Sequence, residues 1–396
     1  MLAAVLGLLS ALLGPATPTR ADGVALTWPD HPAPASTAAS VPCADLLVIG
    51  SRGSLEQGPY GSTVQAWRES IAAATADAAG ETGGQPERQG TVRELYVDYP
   101  ALAPDTMLSA GLGPLLFGVD LPATPYLASV ADGVANLTTA LDDSATRCPS
   151  ERWVLLGYSQ GSQVINEALA SRGEARSRQL LSAVLLGNPG HYQGQSVTEP
   201  DAGAGAPGTA SGLTAAMYYI RQGAAAGRAA GGEDRATADG VRAVLEISQG
   251  KADTGVLAAA AAANRLAISP GLEKRVLSLC NAGDMVCDAG PAIYRVVING
   301  GSTDDEISRT AALHAAYQPT DFPVVAEQLA TAVRAVVPLA TASPSNSPSP
   351  LPGGAGSLAL IVGGIVVLLA AVGGVAFVVV RLRRPTPNSD DSDGQS

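Results

Sequence analysis

The stretch Trp153-Val154-Leu155-Leu156-Gly157-Tyr158-Ser159-Gln160-Gly161, running into the helix-patterned residues 162–171, decides how this chain is read. Four apolar residues suit a short buried strand, the glycine-flanked serine suits a sharp turn, and a helical pattern follows. Strand, G-x-S-x-G turn and helix in that order are the setting of a nucleophile elbow. Such a turn holds Ser159 in strained backbone geometry with its Oγ above the sheet, and it leaves no room for a Cβ at 157 or 161. In a chain with 45 glycines the five residues alone mean little. Their flanks carry the reading.

Working outward, residues 45–50, 91–97 and 180–186 are further short apolar runs bounded by turn signals, as expected of buried parallel strands. Helical patterns lie between them at 126–141 and 163–170. Alternation of strand and helix predicts an α/β fold with a central parallel sheet covered by helices on both faces. A last helical pattern, from Val324 and Val325 through Leu329 and Val333 to Val337, closes the domain at Pro338. Residues 190–271 do not fit the alternation. They open Gly/Pro/Ala-rich and continue with Ala-rich helical pieces, Val241, Val244, Leu245 and Ser248 among them. This is an insertion, either a surface spacer or a lid over the site. Met217, Tyr218, Tyr219 and Ile220 would line an acyl groove on the second reading and dock the insertion on the core on the first.

Serine is a poor nucleophile at neutral pH, so a base must take its proton and an acid must orient that base. The chain has three histidines. His31 lies in a Pro-rich stretch, and His191 sits in a Gly-rich loop ahead of any plausible acid. His314 remains, in a loop region before the last helix, and gives the order Ser, Asp, His. For the acid, Asp284 lies between Cys280 and Cys287, where a cross-link would make its loop rigid. Asp288, Asp304 and Asp305 compete with it.

A net charge of −12 argues against a nucleic-acid partner. Each catalytic role falls to a side chain or backbone group, so no metal or cofactor is expected. Four cysteines without C-x-x-C spacing predict two disulfides and an oxidising compartment. Residues 1–21, an apolar run closing in Gly14-Pro15 and then small residues, read as a signal peptide. Residues 338–357 are a Pro/Ser/Gly-rich linker. Residues 358–380 carry no charge and as a helix reach about 34 Å, enough for a ~30 Å hydrocarbon core. Arg381, Arg383 and Arg384 then put the tail, 381–396, in the cytoplasm. The expected product is a single-pass cell-membrane protein, a monomer, with its domain (40–337) outside.

With these pieces in place the sequence resembles the cutinase family. Cys43 precedes the first strand and Arg52-Gly53-Ser54 follows it; Tyr99-Pro100-Ala101 follows the second; Cys148 stands shortly before Gly-Tyr-Ser-Gln-Gly. Cys280-Asn281-Ala282-Gly283-Asp284, Cys287, and His314 with Tyr317 complete the order. The resemblance implies a cutinase-like α/β-hydrolase, disulfides Cys43–Cys148 and Cys280–Cys287, the triad Ser159, Asp284 and His314, and an oxyanion hole from Ser54 and the N–H of Gln160. It implies a serine esterase acting on an ester or lipid substrate. Thioesterase, phospholipase or acetyl esterase activity would use the same residues, and a non-catalytic cell-surface binding protein is the rival from another class. Four features depart from the family pattern: Met285 in place of a proline after the acid, a longer stretch from Asp284 to His314, the insertion, and the anchor.

Overall fold

Strand residues alternate between the two faces of a sheet, and the parity of three central runs sorts the core into two layers. Leu46, Val48, Val154, Leu156, Val184 and Leu186 point to one face, where Val64, Trp67, Ile71, Val325, Leu329 and Val333 meet them. Leu47, Ile49, Trp153, Leu155, Ala183 and Leu185 point to the other, against Leu137, Leu141, Val164, Ile165 and Leu169. Burial on both faces is why these strands read as unbroken apolar runs. Each buried Val, Leu or Ile among them contributes roughly 1.5–3 kcal/mol.

The computed structural model describes residues 24–80, 88–200 and 208–336, all within the first of two units, residues 1–340. The signal-peptide, linker, membrane-helix and tail readings lie outside the described residues, as does the second unit, 341–396. In order, the elements are β1 (Val24–Thr27), β2 (Ala33–Pro34), β3 (Leu46–Ser51), α1 (Gly61–Gly80), β4 (Arg88–Tyr96), α2 (Leu112–Phe117), α3 (Pro125–Arg147), β5 (Arg152–Tyr158) and α4 (Gln160–Arg172). Then come β6 (Leu180–Leu186), α5 (Leu213–Ser248), α6 (Thr254–Ala263), β7 (Val276–Leu279), α7 (Gly290–Val297), α8 (Thr303–Ala315) and α9 (Pro323–Arg334).

Among the described residues the sheet has seven parallel strands in the order β1-β4-β3-β5-β6-β7, with β2 also on β4. After β3 the chain crosses to β4 on one side, and after β5 it crosses to β6 on the other. The carboxyl ends of β3 and β5 therefore border the crevice where ligands of parallel sheets bind. The Cys43–Cys148 disulfide, 105 residues apart in sequence, ties the entrance of β3 to the end of α3.

Between β6 and β7 the insertion is mostly helical. α5 breaks at Gly231 and Gly232, the latter at φ +78°, and its halves run back along each other with Gly223 against Ala243. A second finding corrects the sequence reading. His314, expected in a loop region before the last helix, lies in the last turn of α8, and α7 and α8 both fall between Asp284 and that last helix. The signals for α8 are local: the Ser302 hydroxyl accepts from the N–H groups of Asp304 and Asp305, and three acidic residues occupy the first turn. Asp304 and Asp305 thus serve the start of that helix.

Candidate active site

Ser159 sits between β5 and α4 at φ 53°, ψ −120°, a conformation L residues rarely adopt. Holding it costs on the order of 1–3 kcal/mol, which the surrounding sheet must offset. Two bonds to one carbonyl fix the turn: Ser159 N–H and Ser162 Oγ–H both donate to Leu186 O, at 2.8 and 2.9 Å. The flanking glycines are required by contact. A Cβ on Gly161 would stand 2.0 Å from Ser51 O, and one on Gly157 would stand 2.8 Å from Gly161 O. The same closeness presses the turn after β3, which carries Ser54, against the start of α4.

His314 joins the serine to a carboxylate. Its Nε2 lies 2.9 Å from Ser159 Oγ and its Nδ1 lies 2.8 Å from Asp284 Oδ2. With the proton on Nδ1, the ring donates to Asp284 and accepts from the serine hydroxyl. Asp284 is fully buried, and its loop is closed by Cys280–Cys287. Its Oδ1 accepts from Val286 N–H at 2.9 Å, and its Oδ2 also accepts from the Tyr317 hydroxyl at 2.7 Å. Burial and the Asp284 charge push the Tyr317 hydroxyl well above its ordinary value, so it stays a donor. Tyr317 is itself held, with Trp67 Nε1 donating to its carbonyl at 2.7 Å. Tyr158 stacks on the His314 ring at 5.0 Å between centroids and donates its hydroxyl to His314 O at 2.7 Å. The sequence reading assigned neither tyrosine a role.

Two donors are available for a developing oxyanion. Ser54 Oγ is buried and makes no hydrogen bond among the described residues. Gln160 opens α4, where the first N–H groups have no intrahelical acceptor and the helix dipole is positive. The competing residues lie elsewhere. Asp288 accepts from Gly283 N–H at 2.9 Å. His191 is buried 3.5 Å from Glu199, with burial lowering its pKa to about 4. His31 is exposed near the start of the described residues.

Ser159 and His314 stand in the wall of a cavity of about 280 Å³. Otherwise the wall is almost wholly carbon. Met107, Leu115 and Leu116 come from residues 104–117, Met217 from α5, and Ile293 and Ile307 from α7 and α8. Covered by these helices, Ser159 is only 6% exposed. Of the apolar cluster in the insertion, Met217 lines the cavity, Tyr219 and Ile220 are buried in the core, and Tyr218 is half-buried. Four consecutive helical residues point in four directions about 100° apart, so one run divides between both tasks. Met285, next to the acid, also faces the cavity.

The family model described as Cutinase matches residues 42–297. The chain is similar to a cutinase of Hypocrea jecorina, 27% identical over 168 residues that cover 41% of this chain and 52% of that one. It thus spans about half the length of that relative. Acetylxylan esterase 2 of Talaromyces purpureogenus is 38% identical over 61 residues, 15% of this chain and 26% of its own. Carboxylesterase Culp1 of Mycobacterium tuberculosis is 24% identical over 158 residues, 40% and 58% respectively. Among solved structures, an acetylxylan esterase at 0.90 Å resolution aligns over 74% of this chain and 98% of its own, at 19% identity and a TM-score of 0.38.

Proposed function

Because the chain belongs to the cutinase family, whose model spans residues 42–297, we propose that it hydrolyses carboxylic esters through an acyl-enzyme on Ser159. The observation that carries this reading is His314, placed within hydrogen-bond distance of both Ser159 Oγ and Asp284 Oδ2 at the wall of an apolar cavity. His314 Nε2 takes the serine proton as Oγ attacks the ester carbonyl. Negative charge then grows on the carbonyl oxygen, where Ser54 and the Gln160 N–H donate to it. Loss of one such donor typically costs about 3–4 kcal/mol in the transition state. When the tetrahedral species collapses, the C–O bond to the alcohol breaks and the imidazolium returns its proton to the departing oxygen. Water, deprotonated by the same Nε2, attacks the acyl-serine. The carboxylic acid leaves and the serine recovers its proton. Asp284, held by Val286 and Tyr317, keeps the imidazole in one tautomer and stabilises it while charged.

The cavity suits the acyl part of the substrate. Its carbon wall and its volume of about 280 Å³ suit an apolar acyl chain. A thioester would meet the same residues and the same wall. A fluorophosphonate probe on the purified domain tests the reading: labelling confined to Ser159, with hydrolysis of an octanoyl ester, is expected. A folded domain that neither labels nor hydrolyses any ester would leave a binding protein in its place.

The setting at the membrane is proposed from the sequence alone. The uncharged run 358–380 and the arginines after it support a retained anchor with the domain outside the cell. Fractionation of cells expressing the full chain and a chain ending at residue 357 tests this. The shorter form should be released, active, into the medium, and full-length protein found free there would exclude the anchor.

A further inference from the structure

The cavity wall contributed by α2 has an unusual foundation. α2 is six residues long, too short to hold itself together, and the last carbonyls of any helix lack intrahelical donors. Here carbonyls of α2 and of the residues just after it accept from two guanidinium groups of the insertion. Arg221 Nη1 donates to Pro114 O at 3.0 Å and to Leu115 O at 2.8 Å, and its Nη2 donates to Val119 O at 3.3 Å. About two turns further along α5, Arg228 Nη2 donates to Phe117 O at 2.7 Å. Arg228 is in turn held by Glu233, at 2.5 and 3.0 Å, beyond the break at Gly231 and Gly232. The returning half of α5 closes on the same residues. Gly240 packs so tightly on Phe117 that a Cβ there would stand 2.6 Å from the ring. On its opposite side α2 presents Leu112, Leu115 and Leu116 to the cavity. Two cations at the negative end of a helix also sit where its dipole favours them.

We propose that Arg221 and Arg228 are positioning residues that fasten α2 as a wall of the acyl cavity, so that the insertion sets acyl-chain selectivity through α2. Apart from Leu213 and Met217 near its start, the insertion places no side chain in the cavity wall among the described residues. Its effect on substrate is indirect, through four hydrogen bonds to backbone. A long acyl group feels the position of Leu112, Leu115 and Leu116, whereas an acetyl group ends close to Ser159 and does not reach them.

This inference rests on the ester-hydrolase reading, and the test keeps the two apart. Arg221→Met with Arg228→Met retains the apolar stems and removes the donors. Steady-state hydrolysis of acetyl and octanoyl esters by this variant should show a KM for the octanoyl ester raised roughly tenfold, with its kcat and both constants for the acetyl ester within about twofold of wild type. Arg221→Lys, which keeps the charge but cannot span three carbonyls, should recover part of the octanoyl KM. Hydrogen exchange supplies a readout independent of turnover, with faster exchange at the amides of residues 115–118 in the double variant. Should the double variant not fold, Arg228→Met alone is expected to show the same pattern at smaller amplitude. An unchanged octanoyl-to-acetyl ratio, or equal losses on both esters, in a variant whose Ser159 still labels with fluorophosphonate would overturn the proposal and leave the hydrolase reading standing. Absence of labelling in the wild type would refute the hydrolase reading and the selectivity claim with it.

Discussion

The carboxyl edge of the sheet and the helices that cover it are built on different physics. At the edge, position is fixed by backbone: a strained serine bonded to Leu186, two glycines in van der Waals contact with neighbouring carbonyls, and a buried carboxylate in a disulfide-closed loop. In the cover, position is fixed by side chains on short helices, with Met and Leu facing the cavity and two arginines holding α2 from behind. The edge tolerates almost no change of shape. The cover can change residue by residue, and on the proposed reading the substrate changes with it. The proposed function would thereby separate chemistry from selectivity within one site.

The sharpest test of that separation is Ser159→Ala. Activity on esters of every chain length should fall by at least about 10⁴-fold, with far-UV circular dichroism and melting temperature close to wild type. Appreciable residual turnover would mean that the edge does not carry the chemistry.

Next in size is a stability effect at the root of the insertion. Burial lowers the pKa of His191 to about 4 from 6.5, so below pH 6.5 the unfolded chain binds a proton that the folded one refuses. Stability therefore drains away as pH falls from 6.5 to 4, by up to ~3 kcal/mol, with Glu199 at 3.5 Å offering partial compensation. Glu167, raised to about 7 by burial, acts oppositely between pH 4.5 and 7, so the comparison must be made against a variant. Chemical denaturation of wild type and His191→Gln across this range should show a gap that closes toward acid pH. A constant gap would contradict the assignment.

Smaller again, Tyr317→Phe removes one donor from Asp284 and should lower kcat/KM about tenfold, roughly 1.4 kcal/mol, equally for short and long esters. A loss confined to long esters would place Tyr317 with the cover instead. Smallest is Met217→Ala, which shortens one wall residue. It should raise KM for an octanoyl ester roughly fivefold, about 1 kcal/mol, and leave acetyl hydrolysis alone. Equal effects on both esters would erase the distinction between edge and cover at that position.

This contrast also explains what could be read in advance. The elbow was legible because glycine, serine and strand act within nine residues, and the sheet because buried strands are continuous apolar runs. Asp284 could be favoured over Asp288, Asp304 and Asp305 through the flanking cysteines, but only the fold brings its Oδ2 within 2.8 Å of His314. The cover was not legible. Residues 104–117 hold two prolines and two glycines among leucines, a composition of loops, and their placement as a wall involves partners over a hundred residues away, Arg221, Arg228 and Gly240. α7 and α8 went unrecognised for a different reason: α7 is only eight residues long, and Gly300-Gly301 between the two reads as loop. Tyr317 was visible as a neighbour of His314, yet nothing local says that its hydroxyl turns toward a carboxylate 33 positions earlier.

That sequence distance has a consequence for the moment at which reactivity arises. Ser159 and its imidazole are 155 positions apart, and the Trp67 bond that anchors Tyr317 closes across 250. At 5–20 residues per second on the ribosome, the serine is made roughly 8–30 s before the residue that takes its proton in the proposed mechanism. A nascent chain can complete its elbow and still hold only an ordinary alcohol. On the proposed mechanism, activation is the docking of the last helices, and a partly translated chain is expected to be chemically silent.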